Sequence, residues 1–150
     1  MSDKVNEAIS TLVNMQKDSD FGVDLILAHG GVADMQAVCH TLARNAGWWD
    51  RHEAMAAAGF ETESFVTKHD LIHSELSEAL EGMRKGKNDD HLPHRKAVEV
   101  ELADAVIRIM DLAGAMELDL AGAIIEKLAY NQQRADHKKE NRNADGGKKF

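Results

Sequence analysis

Four acidic residues in two matched pairs carry the chemistry of this chain: Glu75-Leu-Ser-Glu78 and Glu101-Leu-Ala-Asp104. In each pair the carboxylates stand three positions apart inside an apolar pattern of helical period, so they share one helix face. Two such helices laid side by side bring four like charges together. Carboxylates that close repel and shift one another's pKa unless a cation sits between them. Hard oxygen donors without convergent Cys or His select Mg²⁺ or Mn²⁺ and not zinc. Such an ion bridges phosphate oxygens and lowers the pKa of bound water. Glu75, Glu78, Glu101 and Asp104 are therefore the expected metal ligands and catalytic set.

A second constellation follows on a later helical stretch. Lys127, Asn131 and Arg134 fall at i, i+4 and i+7, which places them on one face. Two cations and an amide in a row suit phosphate oxygens, Arg as a planar fork and Lys as a point charge. The same spacing also describes the solvated edge of an amphipathic helix. Trp48 and Trp49 are adjacent in a chain with only 5% aromatics. Neighbours point different ways, so one is expected as a core anchor, while the other can line a pocket and stack on a nucleobase.

The elements that must position these groups read as helices, because one proline and few alternating stretches argue against a sheet. A first helix is expected over Asp3 to Lys17, capped by Ser2 or Asp3. A break follows at Asp18 to Gly22, then a short apolar stretch from Val23 to Ala28 that His29-Gly30-Gly31 ends. Val32 to about Ala46 forms the next helix, with Met35, Val38, Leu42 and Ala46 on one side. Residues 51 to 63 are a loop or a short helix. Ser64 to Arg84 is a strong helix whose stripe of Phe65, Ile72, Leu76, Ala79, Leu80 and Met83 borders Glu75, while Glu81 points away. Pro93 suits the first turn of a helix that runs from about Arg95 to Met116. That helix is apolar around most of its circumference, which predicts burial, with Glu101, Asp104, Arg108 and Asp111 crowded into one strip whose carboxylates face either water or partners. Asp119 caps a last helix from Leu120 to about Lys139, and Asn143 to Phe150 reads as a tail.

Composition bounds the rest. At 150 residues, 43% hydrophobic and 29% charged, the chain reads as one globular domain with a real core. A net charge of -8 argues against stable nucleic-acid binding. The charge is uneven: Arg134 to Phe150 holds six Lys or Arg against three Asp or Glu, net +3, which leaves -11 on the preceding residues. A single cysteine, Cys39, permits no intrachain disulfide and reads as a small core residue. Charges break every apolar run, and Met1 to Val5 lacks a signal-peptide pattern, so no membrane association and a cytoplasmic location are expected. No Gly-rich loop ending in Gly-Lys-Ser/Thr is present, which excludes a P-loop mechanism.

Taken together, four segments resemble the MazG-like, all-α nucleoside triphosphate pyrophosphatases. They are Ala43 to Asp50 with its two tryptophans, His73 to Gly86 with the first carboxylate pair, Val100 to Asp104 with the second, and Lys127 to Arg134. The closing Gly146 to Phe150 is similar to the end of bacterial and phage members. The resemblance covers roughly residues 32 to 150, as a pyrophosphohydrolase domain, and leaves 1 to 31 as an N-terminal extension. It implies an all-α bundle completed by oligomerisation as a homodimer or homotetramer. It also implies hydrolysis of a (deoxy)nucleoside triphosphate to the monophosphate and pyrophosphate, with Mg²⁺ on Glu75, Glu78, Glu101 and Asp104 and phosphates on Lys127, Asn131 and Arg134. The phage branch it is similar to acts on dGTP and reshapes a nucleotide pool. The charged stretch Lys138 to Asn143 is longer than that pattern has.

Two other readings stand beside it. His69-Asp70 suggests an HD-type metal phosphohydrolase, with His40, His52 and Asp104 as further ligands. A helical oligomer that binds nucleotides without turnover is the other.

Overall fold

The computed structural model describes residues 1–17 and 20–146. They form seven α-helices: α1 Asp3–Gln16, α2 Asp20–Asn45, α3 Asp50–Ala57, α4 Glu61–Lys85, α5 Ala97–Ala115, α6 Leu120–Gln133 and α7 Lys139–Asn143, with a 3₁₀ turn at Ala135–His137. Among the described residues there is no strand, only an isolated bridge between Asn88 and Lys96 in the loop before α5. The all-α expectation therefore holds. No described helix is long and apolar enough to cross a membrane.

Cα packing divides the chain into two units, Met1–Asp34 with Asp119–Phe150, and Met35–Leu118. In the first unit α1 packs on α6. Val5, Ala8, Ile9 and Leu12 recur every three or four residues along α1 and bury one stripe against Leu25 of α2 and Ile125 and Ala129 of α6. Burying an Ile, Leu or Val side chain contributes about 1.5–3 kcal/mol, so this small cluster outweighs the caps that delimit its helices. Ser2 Oγ accepts from the Val5 N–H at 3.3 Å, and Asp119 Oδ1 accepts from the Gly122 N–H at 2.8 Å, so both expected caps are formed.

The second unit holds the later part of α2 with α3, α4 and α5. Gly82 near the end of α4 faces Ala97 and Val98 at the start of α5, while Glu75, two turns earlier, reaches Arg108, three turns on; the two helices run antiparallel. Small residues let them approach: a Cβ at Gly82 would lie 2.9 Å from the Val98 nitrogen. Gly114 does the same for α2, since a Cβ there would meet the His40 Cβ at 2.7 Å.

Four boundaries differ from the sequence-based expectation. His29-Gly30-Gly31 does not end a helix; α2 runs through it. Glycine in a helix interior costs about 1 kcal/mol relative to alanine, which a long helix absorbs, and neither Gly30 nor Gly31 has a positive φ. The break expected at Asp18 to Gly22 falls partly on residues 18 and 19, outside the described residues; Phe21 and Gly22 are helical. Pro93 lies in the loop, not in α5, whose first residue is Ala97. The last helix stops at Gln133, because Arg134 turns to an extended backbone. Of the tail, residues 147–150 lie outside the described residues.

The expected burial of α5 is also corrected. Only the stripe of Ala97, Ala105 and Ala113 is fully buried, while Leu102, Val106, Ile107 and Ile109 stay substantially exposed. A helix is covered only where a neighbour lies against it, and the alanine stripe is where α5 meets its neighbours. On α4, Leu76, Leu80 and Met83 are likewise uncovered.

Candidate metal centre

The antiparallel pair α4 and α5 sets the geometry of the acidic residues. Glu75 and Glu78 lie one turn apart on α4, and Glu101 comes from α5. One oxygen from each lies within 4.8 Å of the others, with Glu75 buried, Glu101 half-buried and Glu78 exposed. Among the described residues this is the one group of at least three His, Cys, Asp or Glu side chains so placed. Asp104, one turn beyond Glu101, is not in the trio. It lies in the lining of a neighbouring cavity, close enough for the Glu75 charge to act on it.

The electrostatics are those of crowded carboxylates. Burial pushes the Glu101 pKa up; the Glu78 charge, a hydrogen bond with Glu75 and the Glu75 and Asp104 charges push the same way. A hydrogen bond between two carboxyl groups requires a shared proton, so without a cation Glu101 holds one more readily than a free glutamate. Burial and the Glu75 charge raise Asp104, against which the Arg108 charge works. Arg108 reaches across from α5: its Nε–H donates to Glu75 Oε1 at 2.6 Å.

The donor set fits a hard divalent ion. Three carboxylates each offer an oxygen within 4.8 Å of the others, and such donors would hold an ion that prefers oxygen ligands. The set has no imidazole or thiolate that would favour zinc.

The cavity beside this cluster has a volume of about 550 Å³. Its wall is mostly apolar, from Met35, Val38 and Leu42 of α2, Leu71 of α4 and Ile107 of α5, with Trp48 at one side. The α2 stripe of Met35, Val38, Leu42 and Ala46 faces this cavity. Lys68, Asp104, Arg108 and Asp111 are its charged groups. Cys39 also lines it; burial, and next the Asp111 charge, push its thiol up, which keeps it protonated and unreactive.

The two tryptophans have separate places. Trp48 is 71% exposed and lines the cavity. Trp49 is buried, and its Nε1–H donates to Asp111 Oδ1 at 2.8 Å. The same oxygen is bonded to His40 Nδ1 at 2.9 Å. Lys68 Nζ lies over the Trp49 ring at 4.4 Å, while His40 and His52 meet the ring edge-on. Trp49 thus has no free face for a base.

Lys127, Asn131 and Arg134 belong to the other unit. Lys127 and Asn131 border a shallow hollow with Ile124 and Leu128, and Lys127 Nζ lies 4.6 Å from the Tyr130 ring centre. Asn131 Oδ1 is buried without a hydrogen-bond partner among the described residues. Arg134 is off the helix and tied to Asp136 by two hydrogen bonds of 2.9 and 2.6 Å. The periodicity that joined all three runs only as far as Asn131. Arg108 and Asp111 were readable only as a strip on α5; their spacing of four and seven from Asp104 was the signal, and their partners were not in it.

The histidines of the alternative reading are engaged elsewhere. His40 bonds Asp111, His52 Nδ1 lies 2.9 Å from Ser64 Oγ, and His69 stacks edge-on against His73. No family model, curated protein or solved structure matches the chain.

Proposed function

We propose that this chain is a Mg²⁺- or Mn²⁺-dependent hydrolase that cleaves a (deoxy)nucleoside triphosphate to the monophosphate and pyrophosphate. The observation that carries it is the convergence of Glu75, Glu78 and Glu101 beside a cavity of nucleoside size. The resemblance of four segments to MazG-like pyrophosphatases supports the same reaction and a deoxynucleotide such as dGTP.

A divalent ion held by Glu75, Glu78 and Glu101 would draw charge from phosphate oxygens and make water a better nucleophile. The chain's own residues supply the rest. Glu78, the exposed member, faces water and can accept a proton from it as the oxygen–phosphorus bond forms and the bond between α- and β-phosphate breaks. Asp104 lines the cavity and feels the Glu75 charge, so it would serve the same ion through water. Trp48 offers a ring face at the cavity to the base. Lys127, Asn131 and Arg134, which belong to the other unit, are proposed as phosphate-binding residues from the resemblance alone.

The protein works as a homodimer or homotetramer on this reading. Leu76, Leu80 and Met83 of α4 and Leu102, Val106 and Ile109 of α5 are large apolar side chains left uncovered, and a second copy would cover them. An HD-type centre finds less support, because the candidate metal group contains no histidine.

The deciding experiment is pyrophosphate release from a panel of nucleoside triphosphates with Mg²⁺, with Mn²⁺ and with EDTA, on wild type and Glu78→Ala. Release that needs the metal and is lost in Glu78→Ala supports the proposal. Turnover retained in that variant removes it.

A further inference from the structure

Arg108 stands at the border between the carboxylate trio and the cavity, and the site as described gives it no role beyond neutralising Glu75. Its Nε–H is bonded to Glu75 Oε1 at 2.6 Å. Its terminal nitrogens have no hydrogen-bond partner among the described residues, and its side chain is 41% exposed in the cavity lining. A guanidinium bound through Nε alone keeps four N–H donors in one plane, a shape that matches two oxygens of a phosphate.

The other cation of the cavity is committed. Lys68 Nζ donates to the Trp48 carbonyl at 2.9 Å and lies on the Trp49 ring. The carboxylates in the lining, Asp104 and Asp111, repel an anion, and Asp111 already accepts from Trp49 and is bonded to His40. An anionic group entering the cavity therefore meets Lys68, already held by one hydrogen bond and a ring, and Arg108, whose planar terminal donors are the less committed of the two.

We propose that Arg108 is the anion-binding residue of this cavity and takes the phosphate next to the nucleoside of a nucleotide whose base and sugar occupy the apolar wall. The bond to Glu75 holds the guanidinium through Nε and leaves its terminal nitrogens for a ligand of the cavity that the residue lines. The same residue thus couples the organic part of the ligand to the carboxylate cluster. This inference rests on the nucleotide reading above and names the residue that holds the nucleotide in place.

The test compares binding of dGMP with binding of deoxyguanosine, by calorimetry in Mg²⁺, for wild type, Arg108→Gln and Arg108→Lys. Wild type is expected to prefer the monophosphate by about tenfold or more, as one charge-assisted fork warrants. Arg108→Gln should bring the two ligands within about twofold while leaving deoxyguanosine binding unchanged, which shows the cavity intact. Arg108→Lys, which keeps the charge and the fold but not the fork, should lose several-fold of the preference. If Arg108→Gln fails to fold, Arg108→Lys decides alone: a full wild-type preference in it overturns the proposal. So does a preference that survives Arg108→Gln, or a wild type that binds both ligands equally or neither. Failure of the hydrolase reading looks different. Triphosphate turnover that is absent or survives Glu78→Ala, with the Arg108-dependent preference intact, removes the reaction and leaves the binding residue standing.

Discussion

Arg108 donates its Nε–H to Glu75 Oε1 across 2.6 Å and so ties the middle of α5 to the most buried carboxylate of α4. A buried carboxylate without a partner is costly, and this one has a cation in contact on one side and two like charges on the other. The consequences of that arrangement can be measured.

Glu101→Gln should stabilise the metal-free protein, and more so as pH rises. The Glu101 pKa is raised, first by burial and then by the Glu78 charge. A carboxyl whose folded value lies above its unfolded one contributes stability that is fully present below the unfolded value and lost as pH rises through the folded value. The amide variant loses nothing in that window. Melts in EDTA should show a variant-minus-wild-type difference that is small at about pH 4 and grows toward about pH 7. Asp89, depressed chiefly by the Leu92 N–H, acts in the opposite sense on both proteins and cancels in the difference. A difference that is flat across this range would contradict the crowding of Glu101.

Divalent ions should reverse that penalty. If the trio binds Mn²⁺, ion at a hundred times its Kd raises stability by about 2.7 kcal/mol. Thermal melts with and without Mn²⁺ should show the increase in wild type and not in Glu78→Ala. Asp104→Asn should fold at least as well as wild type, since one like charge is gone, yet lose activity. A melt well below wild type and indifferent to metal would mark Asp104 as structural.

The glycines separate by what surrounds them. Gly82→Ala drives a Cβ to 2.9 Å from the Val98 nitrogen and should cost about 1–3 kcal/mol as α4 and α5 are pushed apart. Gly30→Ala meets nothing within 4 Å in a helical stretch and should stabilise by about 0.4–1 kcal/mol. Chemical denaturation of the two variants is the check, and equal effects would contradict the close approach of α4 to α5.

The tryptophans should part company in function. Trp49→Phe removes the 2.8 Å donor to Asp111 and should cost about 1–3 kcal/mol of stability. Trp48→Ala should leave the melting temperature nearly unchanged and raise KM for a nucleotide substrate by about tenfold, the worth of one stacked base. A normal KM in that variant would place the base elsewhere.

The uncovered apolar residues of α4 and α5 predict self-association. Light scattering after size exclusion should give a dimer or tetramer for wild type and a smaller species for Leu80→Asp. A monomeric wild type would leave these side chains without an occupant.

What the sequence alone determined was local. Periodicity placed α1, α4 and α5 within a few residues of their ends, Ser2 and Asp119 were recognisable caps, and the three-residue spacing put Glu75 and Glu78 on one face. These properties depend on the helix repeat and on hydrogen bonds within one turn. The tertiary structure decided which members of different helices meet. It put Glu101 and not Asp104 in the trio, gave Arg108 to Glu75, and buried Trp49 on Asp111 while leaving Trp48 at the cavity. Those pairings turn on how closely and at what offset α4, α5 and α2 approach, which Gly82 and Gly114 set by having no side chain. Residues far apart in the chain bear no local mark of such a contact, because its energy exists only once the helices have packed.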